Sequence, residues 1–422
     1  MISIAVLALE FCFKAFLKGA NFSVSNEAVD IICIASFSAA FAVDLSHSKK
    51  LKKFSVPLFV GYIFRVFLVF WDIYGRGIFA LPNSGGDTEG FYNKSVLAML
   101  NYKFKNDPFP QVMGNIFKIV GASRLYGQFI IVLFSLVSLL FMTFILADLD
   151  IPDRTKKGVL WIVAMLPNLA ILSSIFLRES IMHMFIAISF FFFFKWFNGK
   201  SKCFLVAAFV FVFMAARFHS GCVAVAGGYI AILMLYDRDA KSFKFNAKNI
   251  VPTVICMLVM SYLFSNYGSE FFAHYQKVED ITDIGSESTD GGSSYAQYVG
   301  NSRNPVNIVI FTIPRIFFFI ASPLPIQWRG LSDIIAFCFS SMFFICVAWF
   351  TIKFFRFGGK KNRSLIIALT IIIIGTFFLM GWGVVNAGTA CRHRDKVAII
   401  CGLLLALTYQ NRTHSKESVN ET

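Results

Sequence analysis

Four short stretches carry the residues best equipped for chemistry. "GTACRHRDK" (388–396) sets Arg392 and Arg394 on either side of His393, with Asp395 and Lys396 behind, between two long apolar runs. "ARFHSG" (216–221) places Arg217 close to His219, and "SSIFLRESIMH" (173–183) sets Arg178 against Glu179. "NSGGDTEGFYNK" (83–94) presents Asp87 and Glu89 behind a turn that Gly85 and Gly86 permit. Arginine offers a planar, permanently charged fork suited to bidentate binding of phosphate. A carboxylate or an imidazole can take the proton of an attacking hydroxyl as general base. Together these types suit group transfer on an anionic, diphosphate-bearing substrate. Each also has a plainer reading: an arginine can snorkel to headgroups or pair with an acid, and Asp87 can simply cap a helix as an acid in its first turn. No GxSxG, P-loop, GxGxxG or HExxH pattern is present, so soluble-enzyme chemistry is not signalled.

The elements that must hold these residues are membrane helices. The chain has 422 residues, of which 57% are hydrophobic, 17% aromatic and only 15% charged. Apolar runs long enough to cross about 30 Å of hydrocarbon as helices recur along its whole length. The first run, "MISIAVLALEFCFKAFLKGA", lacks a small-residue cleavage site and contains Glu10 and Lys14, so it reads as a retained span. The net charge of +15 reads as lysine gathered in cytoplasmic loops facing anionic lipid, not as a nucleic-acid surface. Most of the nine cysteines lie inside apolar runs without CxxC spacing, which implies neither a disulfide framework nor a zinc site.

By the positive-inside rule "HSKKLKKF" (47–54) is cytoplasmic and anchors the topology. Alternating outward, "DRTKKG" (153–158), "NGKSK" (198–202), "DRDAKSFKFNAK" (237–248), "KFFRFGGKKNR" (353–363) and the polar tail fall inside as well. This holds only if residues 307–321, with Pro314 and Arg315 at their centre, do not cross; that segment is read as re-entrant or interfacial. The expected fold is thus an all-α polytopic membrane protein, one transmembrane domain over 1–422. It has about twelve helices, at 2–18, 28–45, 54–71, 126–147, 159–176, 181–197, 203–218, 220–236, 250–265, 331–351, 364–383 and 397–410. Residues 72–125 form an outer loop with amphipathic surface helices, and 266–330 a second outer loop that opens on the flexible stretch "EDITDIGSESTDGGSS".

In this topology the arginines separate from the lysines. Arg76, Arg124, Arg178, Arg217, Arg303, Arg329, Arg392 and Arg394 all fall on the outer side or at its boundary, which the positive-inside rule disfavours. Arg178, Arg217, Arg392 and Arg394 sit in tight turns between helices, where charge at a protein-lined boundary marks a substrate path. The ordered pieces "GGDTEGFY", "LPNLAILSSIFLRES", "ARFHSG", "PRIFFFIASPLPIQW" and "NAGTACRHRDK" resemble the O-antigen and capsule repeat-unit polymerases (Wzy), whose layout is similar to GT-C membrane glycosyltransferases. Arg217 followed by Gly228 also fits an arginine-to-glycine spacing of some members. A departure is that His219 and His393 lie in short turns, whereas the related O-antigen ligases carry their histidine in a large outer loop.

The resemblance implies undecaprenyl-diphosphate-linked oligosaccharide repeats as substrates at the periplasmic face of the bacterial inner membrane. It implies Arg217, Arg392, Arg394 and Arg329 as diphosphate ligands, Arg178 oriented by Glu179, and Asp87 or Glu89 as base with His219 or His393 as substitutes. No metal or cofactor is expected, and a chain-length regulator and a flippase are expected partners. A GT-C transferase using a polyprenyl-phosphate sugar suits the acidic outer loop equally well. A transporter would want inverted repeats and midplane charges, whereas Arg65 and Asp30 are almost the only deep charges here. A purely structural partner leaves the arginine asymmetry unexplained.

Overall fold

A computed structural model describes residues 2–19, 26–104, 107–244 and 305–420, together with the pairs 250–251, 254–255, 294–295 and 298–299. Among these residues the structure is all-α apart from one two-residue hairpin. Six helices are long and apolar enough to cross a membrane: Glu27–His47, Lys52–Gly75, Arg124–Asp148, Glu179–Phe197, Leu331–Phe357 and Arg363–Trp382. Three shorter apolar helices, Cys203–Phe218, Ser220–Leu235 and Ile310–Ala321, accompany them among the described residues. The chain is therefore an all-α membrane protein. Apart from residues 250–251 and 254–255, the expected span at 250–265 lies outside the described residues, as do Arg303 and nearly all of the acidic outer stretch. The chain, read above as one domain, divides into two compact units: Met1–Asp148 with Leu160–Met184, and Leu149–Val159 with Phe185–Thr422.

In the first unit, α1 (Ile2–Gly19) is held by a polar stripe. Exposed Ile4, Leu9, Phe13 and Phe16 lie elsewhere on the helix, while Ser3, Glu10 and Lys14 are buried. Asp44, near the end of α2 (Asn26–His47), accepts the backbone N–H groups of Ile2 at 3.0 Å and Ser3 at 2.9 Å. Those orphan donors at the positive end of α1 favour a carboxylate there. Lys14 pairs with Asp30 of α2 and lies 4.4 Å from the centre of the Tyr126 ring. Lys18 donates to the carbonyls of Phe117 and Lys118.

Helix α3 (Ser55–Phe70) runs into a π-helical turn at Trp71–Gly75. Two shorter helices follow, α4 (Gly86–Met99) and α5 (Pro108–Val120), then the long α6 (Arg124–Asp148). Gly114 of α5 touches α4 so closely that a Cβ there would lie 2.6 Å from that of Ala98. Phe109, Phe117 and Phe176 are fully buried, and Tyr92 meets the Phe176 ring edge to face at 5.4 Å. Each such phenylalanine contributes about 1.5–3 kcal/mol by leaving water, which fixes α4 on the unit.

The expected span at 159–176 is not one helix. It is α7 (Asp153–Met165), a break, and the short α8 (Pro167–Leu172), followed by non-helical residues up to α9 (Glu179–Phe197). Pro167 is the cause: a residue before proline avoids the helical region, and Leu166 is extended at φ −60°, ψ 113°. The break leaves helix-end carbonyls without partners. Buried Arg65 takes one of them, donating to Ala164 O at 2.6 Å, to Gly61 O at 2.8 Å and to Ser135 Oγ at 3.0 Å. A fully buried charge thus serves a carbonyl 99 residues away that the break at Pro167 leaves open.

The second unit is built from α10 (Cys203–Phe218), α11 (Val223–Leu235), the hairpin β1 (Tyr236–Asp237) and β2 (Ser242–Phe243), and α12 (Pro305–Ala321). It continues with α13 (Leu331–Ile335), which passes through a π-helical stretch into α14 (Met342–Phe357). Helices α15 (Arg363–Trp382), α16 (Ala387–Arg394) and α17 (Ala398–Asn420) complete it. Gly228 lets α11 approach α15, since a Cβ there would lie 2.9 Å from Ile372 Cα. Phe344, near the start of α14, meets Phe377, near the end of α15, with ring centroids 5.9 Å apart, so the two helices run antiparallel. Arg315 of α12 stacks 4.3 Å from the Trp382 ring and donates to Trp382 O, while Phe319 packs one turn deeper on Phe377. Just past α12, Ser322 O accepts from Ser341 Oγ at 2.8 Å. Arg315 faces protein, not lipid.

Candidate functional site

In the second unit the sequence brings two predicted residues into contact. Helix α10 stops because His219 is extended, at φ −160°, ψ 115°, and its Nδ1 accepts the backbone N–H of Gly221 at 3.1 Å. An Nδ1 that accepts leaves the ring proton of a neutral imidazole on Nε2. Across from it, Asn386 caps α16, its side-chain oxygen accepting the N–H groups of Gly388 at 2.8 Å and Thr389 at 3.4 Å. The preceding strand-like residues are pinned by Tyr295, which donates from its backbone to Val385 O at 2.8 Å and from its hydroxyl to Val384 O at 3.1 Å. The capped helix delivers His393 edge to face onto His219, with ring centroids 4.7 Å apart and planes at 82°. Both rings line a cavity of about 320 Å³ whose other walls include Val223, Ala224, Leu379 and Met380. The arrangement offers an N–H donor and a second imidazole at the edge of an apolar space.

The three arginines expected here have different surroundings. Arg217 is exposed on the last turn of α10, and Arg392 is half-buried beside His393. Arg394 is completely buried. Its Nη1 donates to Ile320 O at 2.6 Å, Ser322 O at 2.7 Å and Phe319 O at 3.2 Å, which are carbonyls at the end of α12. Its Nη2 donates to Ser341 Oγ at 2.9 Å and Ser340 Oγ at 3.1 Å, and its plane covers Phe344. These contacts make Arg394 a clamp on the helix ends that carry the site, in place of the diphosphate ligand that the sequence suggested. Arg329 is exposed and pairs with Asp333 at 3.5 Å.

The remaining candidates belong to the first unit. Asp87 is exposed in the first turn of α4, and Thr88 closes that turn on Gly85. Glu89 is clasped by Arg76 Nη1 at 2.7 Å and by Arg124 Nη1 at 3.0 Å and Nη2 at 3.3 Å. Partial burial pushes the Glu89 carboxyl up, but the Arg76 hydrogen bond and the Arg124 charge outweigh it and hold it below the usual carboxylate range. The same hydrogen bond raises Arg76. A carboxylate so stabilised is a weak base, so Glu89 positions arginines. Arg178 lies over the Phe91 ring at 5.7 Å, and Glu179 is buried at the start of α9.

Asp72 was not anticipated: it accepts from Gln128 Nε2 at 2.7 Å and from Ser84, and stands 4.0 Å from Arg124. Its place near the end of an apolar run hid it, although a carboxylate there needs partners. Neither were Ser340 and Ser341, whose role appears only once a bulge turns both toward Arg394. Comparison with models of protein families, with curated proteins and with solved structures finds no match for this chain.

Proposed function

We propose that the protein is an O-antigen polymerase of the Wzy type, a membrane glycosyltransferase joining undecaprenyl-diphosphate-linked oligosaccharide repeats at the periplasmic face of the bacterial inner membrane. The observation that carries this reading is the His219–His393 contact at the rim of an apolar cavity, on the two turns that also bear Arg217 and Arg392. The acceptor sugar hydroxyl attacks the anomeric carbon of the donor repeat. A new C–O bond forms there, the bond from that carbon to the diphosphate oxygen breaks, and the lipid diphosphate leaves with the electron pair. His393 takes the hydroxyl proton. His219, whose Nδ1 is occupied by Gly221 N–H, donates through Nε2 toward the departing oxygen. Arg217 and Arg392 stabilise the charge that develops on the diphosphate, the kind of preorganised interaction worth about 10²–10³ in rate. Arg394 holds α16 in place and does not touch substrate.

A deletion strain tests the activity. Its lipopolysaccharide should carry at most one repeat unit, and the complemented strain should regain the ladder. An unchanged ladder, complete loss of O-antigen, or a repeat lacking one sugar would each reject polymerisation.

A further inference from the structure

In the first unit, one carboxylate serves two guanidinium groups. Glu89 accepts from Arg76 at 2.7 Å and from both terminal nitrogens of Arg124 at 3.0 and 3.3 Å. Two guanidinium groups present more N–H donors than two carboxylate oxygens can use. Asp72 does not make up the difference, because its oxygens already accept from Ser84 and Gln128, and it stands 4.0 Å from Arg124. Arg124 Nε is buried without a hydrogen-bond partner among the described residues. The arginine side is firmly built: the Arg124 guanidinium lies 5.2 Å from the Tyr92 ring and 5.5 Å from the Phe176 ring, which are packed on each other. The carboxylate side is loose, with the Glu89 side chain 45% exposed beside an Arg76 side chain that is 34% exposed.

We propose that Arg76 and Arg124 form a binding site for a phosphate group, and that Glu89 occupies it as an internal stand-in until a phosphate displaces it. A phosphate brings more acceptor oxygens than the carboxylate to the same pair of forks, and more charge. Displaced Glu89 swings into water from the first turns of α4. This site rests on geometry within the first unit and is independent of the polymerase reading.

The test is a competition. Full-length protein in phospholipid-free detergent is titrated with inorganic pyrophosphate by calorimetry, and protein in nanodiscs is titrated with phosphatidylglycerol by native mass spectrometry. Glu89→Gln removes the internal competitor, so at least one probe should bind about three- to fivefold tighter than to the wild type, the scale of one exposed ion pair. A gain for pyrophosphate alone identifies a soluble phosphate group as the source, and a gain for phosphatidylglycerol alone a lipid headgroup. The gain should vanish when Arg76→Gln and Arg124→Gln are added. Arg76→Gln, on the exposed side, replaces that combination if loss of packed Arg124 prevents folding. No gain for either probe, or a gain that survives loss of the arginines, overturns the site. A purely structural ion pair predicts unchanged anion binding in Glu89→Gln, whatever the change in its melting temperature.

Discussion

His393 and Arg394 are consecutive on one helical turn and serve opposite surroundings. The imidazole meets His219 at the cavity rim with centroids 4.7 Å apart, while the guanidinium is buried on the carbonyls of Phe319, Ile320 and Ser322. Arg394→Ala should therefore be a folding defect. It uncovers three carbonyls and two hydroxyls, at a cost of about 3 kcal/mol or more, read as a lowered melting temperature in detergent. Arg392→Ala should lower that temperature much less than Arg394→Ala and abolish long chains, with Arg→Lys rescuing poorly because a point charge lacks the fork.

The two histidines should respond differently to asparagine. An amide at position 219 can still accept Gly221 N–H through its oxygen and donate through its nitrogen, so His219→Asn should keep part of the activity that His219→Leu loses. At position 393 an amide cannot take a proton, and His393→Asn should be as inactive as His393→Ala, a loss of about 10²–10⁴ in rate. The polymerisation rate of the four variants decides; equal rescue at both positions would remove the role assignment.

Gly61 is fixed by Ala164, whose Cβ would lie 2.8 Å from an added methyl. Gly61→Ala should destabilise by about 1–3 kcal/mol through overpacking. The double variant with Ala164→Gly should recover most of this, less about 0.5–1 kcal/mol for glycine in a helix. A double-mutant cycle of melting temperatures measures the coupling.

The Glu89 carboxyl is held below its ordinary value, so the folded chain binds that proton less readily than the unfolded chain. Its contribution to stability is fully present above the ordinary carboxylate pKa of about 4.3 and disappears as pH falls through the lowered folded value. Glu89→Gln should thus melt below the wild type at neutral pH, and the two curves should converge in acid. Because the side chain is half-exposed, the difference should stay under about 1 kcal/mol.

The long apolar helix Leu331–Phe357 separates Gly330 from Lys360, which follow on from its opposite ends. In a cysteine-free background, a membrane-impermeant thiol reagent applied from outside should label Gly330→Cys and spare Lys360→Cys. The reverse pattern would invert the topology of this half.

The sequence showed what periodicity and charge can show. Apolar runs marked the long helices, and tight turns marked Arg217, His219 and His393 as boundary residues. It could not separate Arg392 from Arg394, because both lie in one charged turn and only the packing of α12 decides which is swallowed. Glu89 looked like a base for the same reason: its partners Arg76 and Arg124 flank it at sequence separations of 13 and 35 residues. Pro167 was a legible signal, since a proline within an apolar run breaks the helix; the length of the run outweighed it.

The polar stripe of α1 also bears on the order of assembly. A first segment carrying Glu10 and Lys14 is a poor lone passenger into lipid, yet Asp30, the partner of Lys14, arrives on the very next helix. Ser123 Oγ and the Tyr126 hydroxyl donate to Asp30 and Glu10, so the contacts that seat α1 and α2 are completed only by residues at the start of α6, 93 and 116 positions further along the chain.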